Sequence, residues 1–269
     1  MTREEKVLVN IQKSSVGLEI GPSISPFAPK KEGFNVEIID HLSKDGLISK
    51  YREHGIDLSK IEDVDYIWNG QSYAELTGKK KYYNWIIASH LIEHTPDIIT
   101  FLNQCDEVLK EEGILSLVIP DNRYCFDFFR PLTGISKVID AFYSKNVIHS
   151  AGTAAEYFLN FTKKGGNICW GEGMPGQFEM TFTKEDAMDK MQGILQHKAY
   201  LDLHAWCFTP TSFRLLIQDL NDLGFISLKE VTFFPSHSCE FYITLGRNGS
   251  GFHQERLETL KTIKNELSV

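Results

Sequence analysis

No stretch of this sequence reaches the roughly 18 consecutive apolar residues that a bilayer-spanning helix needs, so no membrane span is expected. Residues Met1 to Lys6 are charged and lack the apolar centre of a secretory signal, which leads to the expectation of a cytoplasmic protein. Basic charge is also short. Lys and Arg total 28 against 36 Asp and Glu, a net charge of -8. No nucleic-acid partner is expected, since such a partner needs a basic stripe to displace phosphate counterions. The five cysteines are odd in number and scattered, with no C-x-x-C pair, so neither a disulfide framework nor a thiolate zinc site is expected. Internal repeats and low-complexity segments are missing too. A chain of 269 residues without them suits one core plus a modest subdomain.

What the sequence does contain is an alternation of strand-like and helix-like patterns. Short apolar runs at Val16–Ile20, Phe34–Ile39, Val64–Trp68 and Trp85–Ala88 each end at a turn or a polar residue, as buried parallel strands do. Thr95-Pro96 predicts the N-cap and first turn of a helix carrying Ile98, Ile99, Leu102, Cys105, Val108 and Leu109, with Gly113 as its C-cap. Ile114–Ile119 reads as a fifth strand. After Pro120 the rhythm breaks into an irregular, aromatic-rich segment. It returns at Thr209-Pro210 with a helix ended by Gly224, then strands at Ile226–Phe233 and Phe241–Leu245. The expectation is an α/β fold, a Rossmann-like seven-stranded and mostly parallel sheet with helices on both faces. Its divisions fall at residues 1–120 for the cofactor-binding half and 121–208 for an inserted substrate cap. Residues 209–247 supply the last helix and two strands, and residues 248–269 a linker and C-terminal helix.

The loop after the first strand is poor in glycine. Gly21-Pro22-Ser23-Ile24-Ser25-Pro26 holds one of the three glycines of a G-x-G-x-x-G dinucleotide turn. The acidic Glu19 ahead of it suits a cationic ligand with an amino group better than a pyrophosphate. Asp40, at the end of the second strand, can accept hydrogen bonds from both hydroxyls of a ribose. A nucleoside site follows, and an NAD-dependent oxidoreductase is the weaker alternative.

These residues resemble the class I S-adenosylmethionine-dependent methyltransferases. The likeness runs through Leu18 to Ser23, Asp40, Asn69-Gly70, Ala88 to His94 and Val108 to Leu115; Ser23, Ser25 and Asn69 depart from the family's usual glycines and aspartate. The resemblance implies S-adenosyl-L-methionine as cofactor. It would be held by Glu19, Gly21, Pro22, Ser23, Asp40, His41, Asn69, Gly70, Ser89 and His90. The stretch Ile119 to Asp127 further resembles methyltransferases associated with surface-polysaccharide biosynthesis. The implied reaction is O-methylation of a sugar, glycan or sugar-phosphate acceptor. A non-catalytic cofactor-binding partner of a glycan-assembly enzyme is the other alternative.

Methyl transfer to a hydroxyl is helped by a base. An extended reading of residues 200–207 puts Tyr200, Asp202, His204 and Trp206 on one face, so His204 is the first candidate, with Asp202 as its orienting carboxylate. Asp121 and His94 follow, being close to strand ends. Arg123, Tyr124, Arg130 and Trp206 are expected to touch the acceptor. His90-Leu91-Ile92-Glu93-His94 spells H-x-x-E-H, yet Thr95-Pro96 starts a helix just beyond it, so the segment is expected in a loop or short turn and no metal is expected. The terminal helix, with a narrow seam of Leu257, Leu260, Ile263 and Leu267, is expected to dock on the domain or make a homodimer or partner contact.

Overall fold

A computed structural model describes residues 1–268. Its strands, in chain order, are β1 (Gly17–Ile20), β2 (Val36–Asp40), β3 (Tyr66–Ile67), β4 (Tyr83–Ser89), β5 (Leu109–Pro120), β6 (Thr162–Lys164), β7 (Phe178–Met180), β8 (Lys229–His237) and β9 (Glu240–Gly246). Its helices are α1 (Arg3–Val7), α2 (Lys44–Tyr51), α3 (Tyr73–Thr77), α4 (Ile98–Val108), α5 (Ile135–Tyr143), α6 (Ala151–Asn160), α7 (Lys184–His197), α8 (Pro210–Asp222) and α9 (Arg256–Glu266).

Seven strands form one sheet in the order β3-β2-β1-β4-β5-β9-β8. The first five are parallel, and β9 runs antiparallel to both β5 and β8. This is the Rossmann-like α/β architecture expected from the sequence. Successive strand residues point to opposite faces. Ile86 and Ala88 of β4, Leu115, Leu117 and Ile119 of β5, and Phe241, Ile243 and Leu245 of β9 enter the larger core, where α4 and α8 cover them. Trp85, Ile87, Val118 and Tyr242 face the other way, against Val7 of α1 and the loop containing Phe27 and Phe34. Both faces are buried, which is why these strands read as nearly continuous apolar runs.

Two helix boundaries differ from the expected ones. Asp97, not Thr95, caps α4, its carboxylate accepting the Thr100 N–H at 3.0 Å. Gly113 is no C-cap. It lies within β5, where the β4–β5 register jumps from Tyr83–Leu109 to Trp85–Ile114. A Cβ there would sit about 3 Å from the carbonyl oxygens of Lys110 and Tyr83, so the irregular pairing needs glycine.

The segment after β5 carries α5, α6, α7 and the small β6–β7 ribbon. It has its own core of Ala154, Ile194 and Leu203, with Ile148, Tyr157 and Phe158 packed against them. Its aromatics chiefly pair with one another: Phe126 stacks on Phe161 at 4.5 Å, and Phe128 on Phe178 at 4.8 Å. Cys169 of this segment is disulfide-bonded to Cys239 in the β8–β9 turn. Scatter along the sequence concealed that proximity, and the expectation of unpaired cysteines is corrected for these two. Helix α9 docks on α8 through a bidentate Arg256–Asp219 pair and a Thr211–Glu266 hydrogen bond. Leu257, Leu260 and Leu267 of the expected seam are exposed.

Candidate active site

The parallel pairing aligns the carboxyl ends of the central strands: Ile20 lies beside Ile39 of β2 and Ala88 of β4. Ligands of open α/β sheets settle in the crevice outside such ends. A cavity of about 240 Å³ opens there. Ile20, Gly21, Ile39, Asp40 and His41 form one side, and Trp68 and Gly70 extend it beyond β3. Leu91, His94 and the first turns of α4, including Asp97, Thr100 and Phe101, form the other. Asn146, Val147 and Tyr200 of the inserted segment complete the rim.

Gly21 turns the chain at φ +66°, a conformation other residues enter at a cost. Ser23 nonetheless adopts φ +50° two residues later. The loop is held from both sides. Asp40 Oδ2 accepts the Ser23 N–H at 2.9 Å, and its Oδ1 accepts the His41 N–H at 2.7 Å. Glu19 accepts the N–H groups of Phe27 and Ala28 at 2.7 and 3.1 Å. Burial pushes the Glu19 carboxyl up to about 7 despite those two donors. Glu19 therefore serves the loop's return path rather than the cavity surface.

Of the residues expected to hold a cofactor, Gly21, Asp40, His41 and Gly70 line the cavity. Pro22 and Ser23 lie in the turn behind it, with the Pro22 carbonyl accepting from Ser25. The Asn69 N–H is taken by the Gln71 side chain. Ser89 ends β4, and His90 turns away toward Glu240, at 2.7 Å from its Nε2. Burial works against charge on His90, but Glu240 and Glu93 outweigh it and bring its pKa up to about 9. Glu240, also bonded by Arg3 and Tyr242, is held down at about 2.

The catalytic candidates separate more sharply. Asp121 is fully buried and engaged by Arg123 through two atoms and by the Ser236 hydroxyl, away from the cavity. Arg123 is thereby occupied, and its neighbour Tyr124 is buried. Arg130 is spent on Asp127 at 2.7 Å and Glu156 at 3.0 Å. Arg123 and Arg130 are thus paired with Asp121, Asp127 and Glu156 in a largely buried ion-pair layer. Trp206 donates its indole N–H to the Thr95 carbonyl at 2.6 Å and lines a second cavity of about 330 Å³.

His94 and His204 do come together, with ring centroids 4.6 Å apart. The chain from Ala199 to Cys207 is irregular rather than a strand, so the one-face reading of residues 200–206 fails. The carboxylate that orients His204 is Asp127, at 2.6 Å from Nδ1, while Asp202 pairs with His94 Nδ1 at 2.8 Å. Glu93, fully buried on a 3-10 turn spanning Ile92–His94, places Oε1 3.9 Å from the Nε2 of each ring. Burial opposes its charge, yet the surrounding histidines hold its carboxyl below the usual range. Sequence reasoning noticed Glu93 only as a letter in H-x-x-E-H and missed Asp97, Thr100, Asn146 and Asp127. The acidic cap beside a strand end was a usable signal for Asp97; nothing local marked Asn146 or Asp127.

No family model matches this chain. A search of curated proteins also finds no match. Solved structures are similar to this chain at low identity and with TM-scores below 0.5. A protein described as putative Zn-dependent alcohol dehydrogenases from Rhodobacter sphaeroides is 15% identical, with 91% of this chain and 88% of that one covered and a TM-score of 0.48. A SAM-dependent methyltransferase from Aquifex aeolicus is 11% identical over 90% and 88%, at a TM-score of 0.45. SAM-dependent methyltransferases from Methanosarcina mazei give 12% over 89% and 95%, at 0.44. The activities in these names differ. Among the described residues, no helix is long and apolar enough to cross a membrane.

Proposed function

We propose that this chain is an S-adenosyl-L-methionine-dependent methyltransferase acting on a hydroxyl of a small sugar-type acceptor. The observation that carries the reading is the charge of the strand-end cavity. Its described lining holds two carboxylates, Asp40 and Asp97, and no Lys or Arg. A sulfonium and an ammonium group suit such a wall; a pyrophosphate would meet repulsion from both carboxylates and no Lys or Arg to offset it. Asp40 stands where a ribose could use it, and Tyr73, Phe101 and Trp68 give an apolar, aromatic surround for a base.

The acceptor would enter from the second cavity, which shares Pro96 and Asn146 with the first. Hydroxyl side chains at Ser136, Ser144, Ser150 and Thr153, with Trp206 as a flat surface, favour a polyhydroxylated molecule. The sulfonium methyl is already activated, so alignment supplies most of the catalysis. The acceptor proton leaves at the His94–Glu93–His204 wall, of which His94 reaches the cavity. Glycan assembly as the setting rests on the resemblance of Ile119 to Asp127 alone.

Thermal shift separates this reading from its rival. S-adenosylmethionine and S-adenosylhomocysteine should each raise the melting temperature as their concentration exceeds Kd, with NAD inert. Stabilisation by NAD alone would replace the proposal with an oxidoreductase.

A further inference from the structure

We propose that Glu93, His94 and His204 bind a divalent first-row transition-metal ion. One ligand atom from each residue lies within 4.8 Å of the others. His94 Nε2 and His204 Nε2 are each 3.9 Å from Glu93 Oε1. Metal bonds of about 2.0–2.2 Å in a tetrahedral site set ligand atoms roughly 3.4 Å apart. The two 3.9 Å separations need a contraction of about half an ångström, and the histidine pair, bounded at 4.8 Å, one of up to about 1.4 Å, to close the set around an ion.

Two independent features point to a ligand. Glu93 is fully buried, and neither of its oxygens accepts a hydrogen bond among the described residues. A buried carboxylate is normally saturated with donors, whereas this one has, among the described residues, only histidine nitrogens at 3.5–3.9 Å and no hydrogen bond. Each histidine is also oriented for metal. Nε2 faces Glu93 in both; Nδ1 of His204 is hydrogen-bonded to Asp127 at 2.6 Å, while Asp202 lies 2.8 Å from His94 Nδ1 as an ion-pair contact without hydrogen-bond alignment. Asp127 is fixed in turn by Arg130. Carboxylate–histidine pairs of this kind set the tautomer and raise the basicity of metal-binding imidazoles. His90 Nδ1, 3.5 Å from Glu93 Oε1, is a further donor within reach.

The donor set selects the class of ion. Imidazole nitrogens with a carboxylate favour zinc, iron or manganese over magnesium and calcium, which prefer all-oxygen surroundings. The H-x-x-E-H motif thus acts differently from its helical reading. Glu93 and His94 contribute from the turn after β4, and the third ligand comes from the returning inserted segment. That arrangement would tie the segment to the sheet, alongside the Ala205 N–H to Glu93 carbonyl bond at 2.7 Å. Three protein ligands leave a position for water or a substrate oxygen at the cavity wall.

The test uses untagged full-length protein, stripped with chelator and titrated with Co²⁺ in the absence of any nucleoside, so its outcome is independent of the methyl-donor reading. One Co²⁺ per chain with visible ligand-field bands, displaced by Zn²⁺, is expected. His204→Ala and Glu93→Gln should abolish the bands. Should either fail to fold, Asp202→Asn, at a largely exposed side chain, should bind Co²⁺ about 10- to 100-fold more weakly. Absence of stoichiometric binding, or binding that folded ligand variants and Asp202→Asn leave intact, overturns the site.

Discussion

The Ser23 backbone N–H donates to Asp40 Oδ2 at 2.9 Å, so the carboxylate that closes β2 also fixes the loop that follows β1. Asp40 is nearly inaccessible in its own strand yet reaches the cavity wall. Its second oxygen takes the His41 N–H and lies 2.6 Å from the His41 ring. A ligand hydroxyl arriving here meets a carboxylate already oriented by backbone donors, which lowers the ordering cost of binding.

Asp40→Ala should therefore weaken S-adenosylhomocysteine binding by about 10- to 100-fold, the worth of hydrogen bonds to a charged group. It should also cost some stability, because two backbone donors lose their acceptor. Calorimetric titration of the folded variant checks the first effect. An affinity equal to wild type would remove Asp40 from the ribose role.

Ser23→Gly should stabilise the protein. Ser23 holds φ +50°, and its buried hydroxyl has no partner among the described residues. Relief of a left-handed backbone is worth about 1 kcal/mol after the added freedom of glycine in the unfolded chain. For a chain of this size that is a rise of roughly 2–4 °C in Tm. The N–H to Asp40 is retained, so cofactor affinity should hold. A drop in Tm would mean that the hydroxyl is satisfied by an ordered water.

The strands were legible because both sheet faces are buried, which turned each into an apolar run ending at a polar residue. Val16–Ile20 and Phe34–Ile39 gave Gly21 and Asp40 their places at the strand ends. Helix α4 was readable in its apolar spacing but not at its ends, since Thr95-Pro96 and Asp97 both offer capping chemistry and only tertiary context chooses. The histidine wall was not legible as a unit. Glu93 and His94 are adjacent, but Asp127 and His204 arrive through an irregular segment whose path no local periodicity encodes. Arg123 and Arg130, expected to touch an acceptor, are instead paired with Asp121 and Asp127, a choice that burial makes and local sequence does not.

Reduction of Cys169–Cys239 should destabilise the protein measurably. The bond closes a loop of 70 residues, for which unfolded-chain entropy alone gives about 4 kcal/mol, with 2–4 kcal/mol typical. Denaturant midpoints with and without reductant, and for the Cys169→Ser/Cys239→Ser double variant, check this. The reduced wild type and the variant should unfold together, ahead of the oxidised protein. Coincident curves for all three would exclude a stabilising bond. Disulfides of this kind persist mainly in oxidising compartments, whereas the cytoplasmic expectation rested on the charged residues Met1 to Lys6.

Glu19 sets a pH dependence of opposite sign to that of an ordinary ion-paired carboxylate. Its folded pKa, pushed up to about 7 chiefly by burial, lies above the reference 4.5. Below about pH 4.5 the group is protonated in both states and the contribution is fully present. As pH rises toward 7 the unfolded chain releases the proton while the folded chain keeps it, so stability falls. Above 7 both states are ionised and the loss, about 3 kcal/mol by linkage, is complete. Glu19→Gln cannot titrate and should flatten this segment of the profile. It should be the less stable protein near pH 4.5, because an amide N–H₂ faces the Ala28 N–H, and should close on wild type by pH 8. Urea midpoints at half-unit steps between those limits are the measurement. Parallel profiles would show that Glu19 is ionised throughout, with its charge balanced by a group nearer than the two backbone donors at Phe27 and Ala28.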